Sequence, residues 1–185
     1  MTKTEKQSLV EMVLYILHKT GGIDIYHLLK ILYFAEQKHL LEWGTKMVPG
    51  DFHAYKYGPV PDELYKAMHN NDKYGRELPD LLAKVVRFAE EDAPNVLLGL
   101  RKPDMEWLSA AEVECLDESI NENIGLSFGQ LLEKSHDEAW QKAWASAQGG
   151  KDDTMTTDSI AKAAGASEGL LEYIKEQVEI DMALR

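Results

Sequence analysis

The chain has 185 residues, of which 44% are hydrophobic and 28% charged, with a formal charge of −12 at pH 7. That length allows one domain with a proper core, and the composition is that of an ordinary globular protein. No apolar run approaches the roughly 18 residues needed to cross a bilayer, and the single cysteine, Cys115, excludes an internal disulfide or an all-cysteine metal site.

The opening residues Met1-Thr2-Lys3-Thr4-Glu5-Lys6 have no apolar h-region behind them, so a signal peptide is not expected and a reducing cytoplasm is the expected home. From Thr4 to Lys19, Leu9, Met12, Val13, Ile16 and Leu17 recur at helical spacing, and Gly21-Gly22 stops the pattern. Asp24 suits the N-cap of a second helix through Leu41, with Ile25, Leu28, Leu29 and Leu32 on one face and Gly44 closing it. The period is then lost. Met47–Asp51 reads as a turn and Phe52–Tyr57 as an aromatic strand. Pro61 fits the first turn of a third helix, with Asp62 and Glu63 at its positive end, fading near Asn70–Asp72.

Two strands are expected next, over Lys84–Phe88 and Asn95–Leu100, joined through Glu90–Pro94. Ser109 with Glu112 forms a capping box that opens a helix to Asn123, closed by Gly125, with Val113, Leu116, Ile120 and Ile124 facing inward. Ser127 with Gln130 repeats the box for a short helix, and another helix starts near Asp137. Residues 148–157, with Gly149-Gly150 and mixed polar residues, read as a linker, followed by a helical segment over 158–185. The expected fold class is α+β: a mostly helical single domain over 1–147 with a small antiparallel β-sheet, and a C-terminal helical segment packed on it or appended.

The charge is uneven. Residues 1–102 hold 14 basic and 14 acidic side chains, whereas residues 103–185 hold 6 and 18. Glu114, Asp117, Glu118 and Glu122 fall within the helix that opens at Ser109. Such a field repels phosphate backbones and attracts basic partners, so direct nucleic-acid binding is disfavoured. The same acids also suit a solvated helix face.

Two strings stand out. In Ala54-Tyr55-Lys56-Tyr57-Gly58-Pro59-Val60, Gly58 permits a backbone angle closed to other residues and Pro59 fixes the next. A rigid corner is expected, with Tyr55 and Tyr57 on one sheet face and Lys56 on the other. Tyrosines there can anchor a protein partner or lie half-buried against the following helix. In His136-Asp137-Glu138-Ala139-Trp140, the His136 and Glu138 side chains diverge by about 200° on a helix and converge only in an extended segment. They can form a partner surface with Trp140, or cap and fill the last core helix. Zinc wants three or four ligands, often with a recognisable helical His pair. The six histidines are scattered without one, so no metal or other cofactor is expected. Serine elbows, Walker loops and dinucleotide glycine patterns are missing, and Cys115 sits on the acidic helix, where a thiolate is disfavoured. No catalytic residue is proposed.

Taken in order, four motifs resemble the Panacea (SocA-like) family of bacterial and phage proteins, over about Ser8 to Ala143. Lys30-Ile31-Leu32-Tyr33-Phe34-Ala35 resembles a family helix, and the Ala54–Val60 string is similar to its most specific motif, with Tyr55 where Trp is frequent. Leu108-Ser109 with Glu112 is similar to a helix opening. Ser135-His136-x-Glu138-x-Trp140 is similar to the closing motif, with Glu138 and Trp140 separated by a single residue. The resemblance implies a domain that neutralises a co-encoded toxin by direct contact. The partner-facing candidates are Tyr55, Tyr57, Gly58, Pro59, His136, Glu138 and Trp140, with Glu114, Asp117 and Glu118 suited to a basic toxin surface. A proteolytic adaptor, a phage or mobile-element regulator and a metal-dependent hydrolase stand as alternatives. Partner identity and oligomeric state are left open.

Overall fold

The computed structural model describes residues 1–89 and 95–184; the expected connection through Glu90–Pro94 lies outside them. The first helix, α1 (Lys3–Thr20), opens on a Thr2–Glu5 capping box and ends at Gly21, whose φ of 71° is left-handed. Every residue from Leu9 to Leu17 is buried, so α1 lies inside the molecule. A short strand, β1 (Ile23–Asp24), leads into α2 (Ile25–Trp43), where Asp24 accepts from the His27 N–H and Gly44 closes the helix at φ 65°. Residues 28–36 of α2 are buried without interruption. This central helix therefore carries Lys30 and Glu36 into the core, where charged groups need specific partners.

The aromatic segment is a hairpin. Strand β2 (Phe52–Tyr55) pairs antiparallel with β3 (Gly58–Pro61), with Tyr55 opposite Gly58, so Lys56-Tyr57 is a two-residue turn. The expected strand through Tyr57, with Tyr55 and Tyr57 on one face, is corrected here: the chain reverses two residues early, and Gly58 begins the return strand. Pro61 is the N-cap of α3 (Asp62–Met68) rather than part of its first turn, so the helix begins one residue later than expected. A helix with no counterpart in the sequence reading follows, α4 (Glu77–Val85), which buries Leu78, Pro79 and Leu82. It takes up Lys84 and Val85, so β4 covers only Val86–Phe88 before pairing with β5 (Val96–Gly99). β5 also pairs with β1, giving the sheet order β1-β5-β4.

Beyond a 3-10 turn at Met105–Trp107, α5 (Ala110–Asn123) and α6 (Phe128–Ser135) open on the two expected capping boxes. Leu116 and Ile120 of α5 are buried as expected. Ile124 lies past the helix end and is 43% exposed, which corrects its expected inward position. Asp137 caps α7 (Glu138–Gln148). Within 148–157, β6 (Thr154–Met155) adds to the hairpin in the order β3-β2-β6, and α8 (Thr157–Ala163) and α9 (Glu168–Leu184) complete the described chain. The molecule is mostly helical with two small antiparallel sheets, as the fold class anticipated. No helix among the described residues is long and apolar enough to cross a membrane.

Two polar groups, Glu11 and Ser119, pin the core. Glu11, fully buried on α1, accepts two N–H groups of Arg101 at 2.8 and 2.5 Å, the Asp104 backbone N–H at 2.8 Å and the Gln7 amide at 2.6 Å. That set holds the strand exit beside α1. Ser119 on α5 donates to the Ile31 carbonyl at 2.7 Å, tying α5 to α2.

Candidate functional site: an aromatic pocket beside the hairpin

The hairpin, α2, α3 and the start of α6, with Asn95, line an open pocket of about 590 Å³. Its residues arrive by separate routes. Tyr26, Leu29 and Lys30 come from the N-terminal half of α2, Tyr55 to Gly58 form the hairpin end, and Phe128 opens α6. The Tyr26 and Phe128 rings pack 4.4 Å apart, and Tyr57 meets the edge of Phe128 at 5.8 Å. Tyr57 and Phe128 remain 52% and 48% exposed, so large aromatic surface stands at the pocket mouth. Such surface is uncommon unless it meets something.

Beneath the pocket lies Lys30. Its side chain is fully buried, and its ammonium donates to the Pro59 carbonyl at 2.9 Å and sits 4.8 Å from the Tyr26 ring centre. Burial depresses its pKa to about 7. Gly58 makes this arrangement possible. With φ at 99°, it lies so close to the lysine that a β-carbon would fall 2.9 Å from Nζ and 2.6 Å from the Ser135 Oγ. The Tyr26 hydroxyl is buried near Ser135 but satisfies no hydrogen-bond geometry, and burial raises its pKa to about 12.

The remaining hairpin candidates hold the pocket wall. Tyr55 donates to Asp62 at 2.5 Å and packs edge-on to Tyr65, while its carbonyl accepts the Trp140 indole N–H at 2.9 Å. Asp62 is itself buried and also accepts from Tyr74 at 2.6 Å and Lys73 at 3.2 Å. These donors hold its carboxyl below the usual range even though burial pushes the other way. Desolvation and the neighbouring Asp62 charge drive the Tyr55 hydroxyl strongly upward, so it stays a donor.

Trp140 is only 8% exposed and stacks on His136 with ring centres 3.5 Å apart and planes within 4°. Burial, and then the Lys30 charge, lowers the His136 pKa, and its Nε2 is buried without a partner. Between them Asp137 caps α7, accepting the Trp140 N–H at 3.0 Å, the Tyr33 hydroxyl at 2.7 Å and the Gln37 amide at 2.8 Å. His136 and Trp140 therefore act from behind, fixing the hairpin by stacking and one indole bond.

Glu138 is not brought to this cluster. It points to solvent near Lys162 of α8, 3.6 Å away. The acids of α5 form a third, separate place. Asp117 accepts from Tyr15 at 2.7 Å and Lys19 at 3.0 Å; Glu118 and Glu122 share Lys38 at 3.0 and 2.7 Å; Glu114 is exposed. Cys115 is buried beside them, its thiol pushed up to about 11 by burial and the surrounding carboxylates, which leaves no activated nucleophile there. A potential ligand set does exist elsewhere: His53, Asp152 and Asp153 offer atoms within 4.8 Å of one another. The His53 Nδ1 already meets Asp153 at 2.7 Å, and Asp152 accepts the Thr154 N–H at 3.2 Å.

Lys30, Tyr26, Phe128, Asp62 and Asp137 are the site residues that the sequence reading did not single out. The signal for Lys30 was available, as the one charged residue within the run Leu28–Ala35. Phe128 was legible only as the first residue after a capping serine.

Fold and pocket together define a mostly helical α+β domain that presents an aromatic, lysine-backed hairpin face. The family model for the antitoxin SocA-like Panacea domain matches residues 28–141, more than half of the chain, and the chain belongs to that family. The match contains all but the first three residues of α2, the hairpin, α5, α6 and the start of α7, which carry the four motifs. Antitoxin SocA of Caulobacter vibrioides (strain NA1000 / CB15N) is 38% identical over 64 residues, 32% of this chain and 34% of that protein. The chain thus spans about a third of the length of the curated relative it matches. No solved structure matches.

Proposed function

We propose that the chain is an antitoxin-like, non-enzymatic binding module that neutralises a co-encoded toxin by forming a complex with it. The observation that carries this reading is family membership over residues 28–141, the stretch that builds the aromatic pocket apart from its Asp24, Ile25 and Tyr26 side, together with its supports. The physical chemistry agrees. Exposed Tyr57 and Phe128 are rigid, large and amphipathic, the type of side chain that dominates protein interfaces, and the Trp140–Tyr55 bond and Asp62 cluster hold the hairpin ready.

In this reading Tyr55, Gly58 and Pro59 shape the contact surface and Tyr57 makes the contact. His136 and Trp140 support it from beneath. Glu138 lies off the pocket, and Glu114, with its α5 neighbours Asp117 and Glu118, offers a secondary contact for basic groups of the toxin. Residues 1–147 constitute the Panacea-like unit, and the segment over 158–185 is an appendage packed on α7 and α2.

The test is to express each neighbouring reading frame with and without this chain. A neighbour that halts growth alone, is tolerated with this chain and copurifies with it is the expected result. Toxicity relieved only when a host protease is present, with protease subunits in the purified complex, would instead indicate an adaptor. No toxic neighbour would remove the reading.

A further inference from the structure

The aromatic pocket differs in charge from the rest of this acidic chain. Lys30 lies beneath it, Lys56 is at its edge with the ammonium 5.2 Å from the Tyr57 ring centre, and Lys66 stands 5.3 and 5.9 Å from the ring centres of Tyr55 and Tyr65. Among the described residues, none of these three lysines pairs with a carboxylate. By contrast Lys6, Lys19, Lys38, Lys46, Lys73 and Arg101 all do, at 2.5 to 3.2 Å. Among the described residues one carboxylate lines the pocket, Asp24, which meets His27 at 2.6 Å to the ring nitrogen and 3.0 Å to the backbone N–H. Among the described residues, the apolar concave lining thus carries Lys30 and Lys56 against Asp24, an excess of basic groups in a chain of net charge −12.

Building on the toxin-binding reading above, we propose that this pocket seats an acidic segment of the partner protein, an aromatic or large apolar side chain flanked by carboxylates. The apolar anchor enters between Tyr26, Leu29, Val60 and Phe128, where about 590 Å³ exceeds what one side chain fills. The flanking carboxylates meet Lys56 and Lys66 at the rim. Those lysines already rest over tyrosine faces, so their ammonium groups are held near the pocket rather than free in solvent. Lys30 adds positive potential from below, and a nearby anion favours its charged form. The occupant is a protein segment rather than a phosphate polymer because the acids of α5 and of the C-terminal half repel an extended polyanion. A short acidic stretch limited to the pocket avoids them.

The test uses the full chain, isotopically labelled for NMR, and three capped synthetic peptides: Glu-Phe-Glu, Gln-Phe-Gln and Lys-Phe-Lys. The expected result is saturable binding of Glu-Phe-Glu, with shifts centred on Tyr26, Tyr57 and Phe128. Gln-Phe-Gln should bind about tenfold more weakly, which converts to about 1.4 kcal/mol for the two lost charge contacts together. Lys56→Glu with Lys66→Glu should abolish the preference for Glu-Phe-Glu while leaving the circular dichroism and unfolding midpoint near those of the parent. Equal binding of all three peptides, shifts centred on α5, or no saturable binding of Glu-Phe-Glu would overturn the proposal. The same double variant in the growth assay separates the two readings. Rescue that survives it overturns this pocket assignment and leaves the antitoxin reading standing, whereas no toxic neighbour removes that reading while peptide binding still reports on the pocket.

Discussion

The α5 face and the hairpin pocket carry opposite lessons about charge. From the sequence, α5 is where the acids concentrate, yet Asp117, Glu118 and Glu122 are each met by a lysine from α1 or α2. The hairpin segment looks nearly neutral, yet Lys30 and Lys56 line its pocket and Lys66 stands beside Tyr55, with no carboxylate partner among the described residues. Net charge along a chain therefore says little about which surface is electrostatically unsatisfied. The distant elements that pair with a charge decide that. The two regions differ in rigidity for a related reason: exposed ion pairs contribute little to stability, whereas the hairpin is held by a stacked indole, a buried aspartate and a glycine with no room for a side chain.

The comparison can be broken most severely at Trp140. Trp140→Ala removes the His136 stack and the bond to the Tyr55 carbonyl, and should cost about 3–5 kcal/mol in urea unfolding; a cost under about 1 kcal/mol would mean the indole does not hold the hairpin. Glu36 gives the next largest effect, as a function of pH. It is fully buried, accepts the Met47 and Val48 N–H groups at 3.0 and 2.6 Å, and burial raises its pKa from 4.5 to about 7. Below pH 4.5 it is neutral in both folded and unfolded chains. Between 4.5 and 7 the unfolded chain gives up the proton first, so folding stability falls as pH rises through that window. Glu36→Gln keeps an acceptor and removes the fall, and should gain on the parent by on the order of 3 kcal/mol between pH 4 and pH 8. A pH-independent difference would contradict the assigned burial.

Smaller effects sharpen the contrast. Gly58→Ala puts a β-carbon against Ser135 and Lys30 at φ 99° and should cost about 1–3 kcal/mol. Gly129→Ala, on α6 with open space around it, should stabilise by about 0.5–1 kcal/mol. Both can be read from thermal unfolding midpoints. On α5, Glu118→Gln should change stability by less than about 1 kcal/mol. Reversing Glu114, Asp117 and Glu118 to Lys should weaken toxin binding less than the Lys56→Glu, Lys66→Glu pair does, measured by titration at two salt concentrations.

Much of the fold was legible because its signals are local. Capping boxes at Ser109 and Ser127, the Asp24 cap and the glycines after both long helices mark the ends of α1, α2, α5 and α6 to within a residue or two. Helix α4 was not, because Leu78 and Leu82 form a short apolar stripe between two polar stretches and Pro79 reads as a breaker until it is placed in the first turn. The hairpin turn was missed because Tyr55-Lys56-Tyr57 continues a strand-like alternation and the usual Asn-Gly or Asp-Gly turn signal is lacking. At the site, Tyr57 and Gly58 were legible from type and position. Lys30, Asp62 and Phe128 stand on α2, α3 and α6, 32 to 98 residues apart in sequence, and only tertiary packing brings those helices round the hairpin, so no spacing rule could have joined them. Glu138 was overread for the converse reason: it is adjacent in sequence to the Asp137 cap, but points away from it.

The most direct test of the account is hydrogen–deuterium exchange on the complex of this chain with its toxic neighbour. Binding through the hairpin pocket predicts slowed exchange at residues 55–58, in the first turn of α6 and at the α2 N-terminus, with α5 little changed. Protection confined to α5 or to α8 and α9, with the hairpin unchanged, would contradict it.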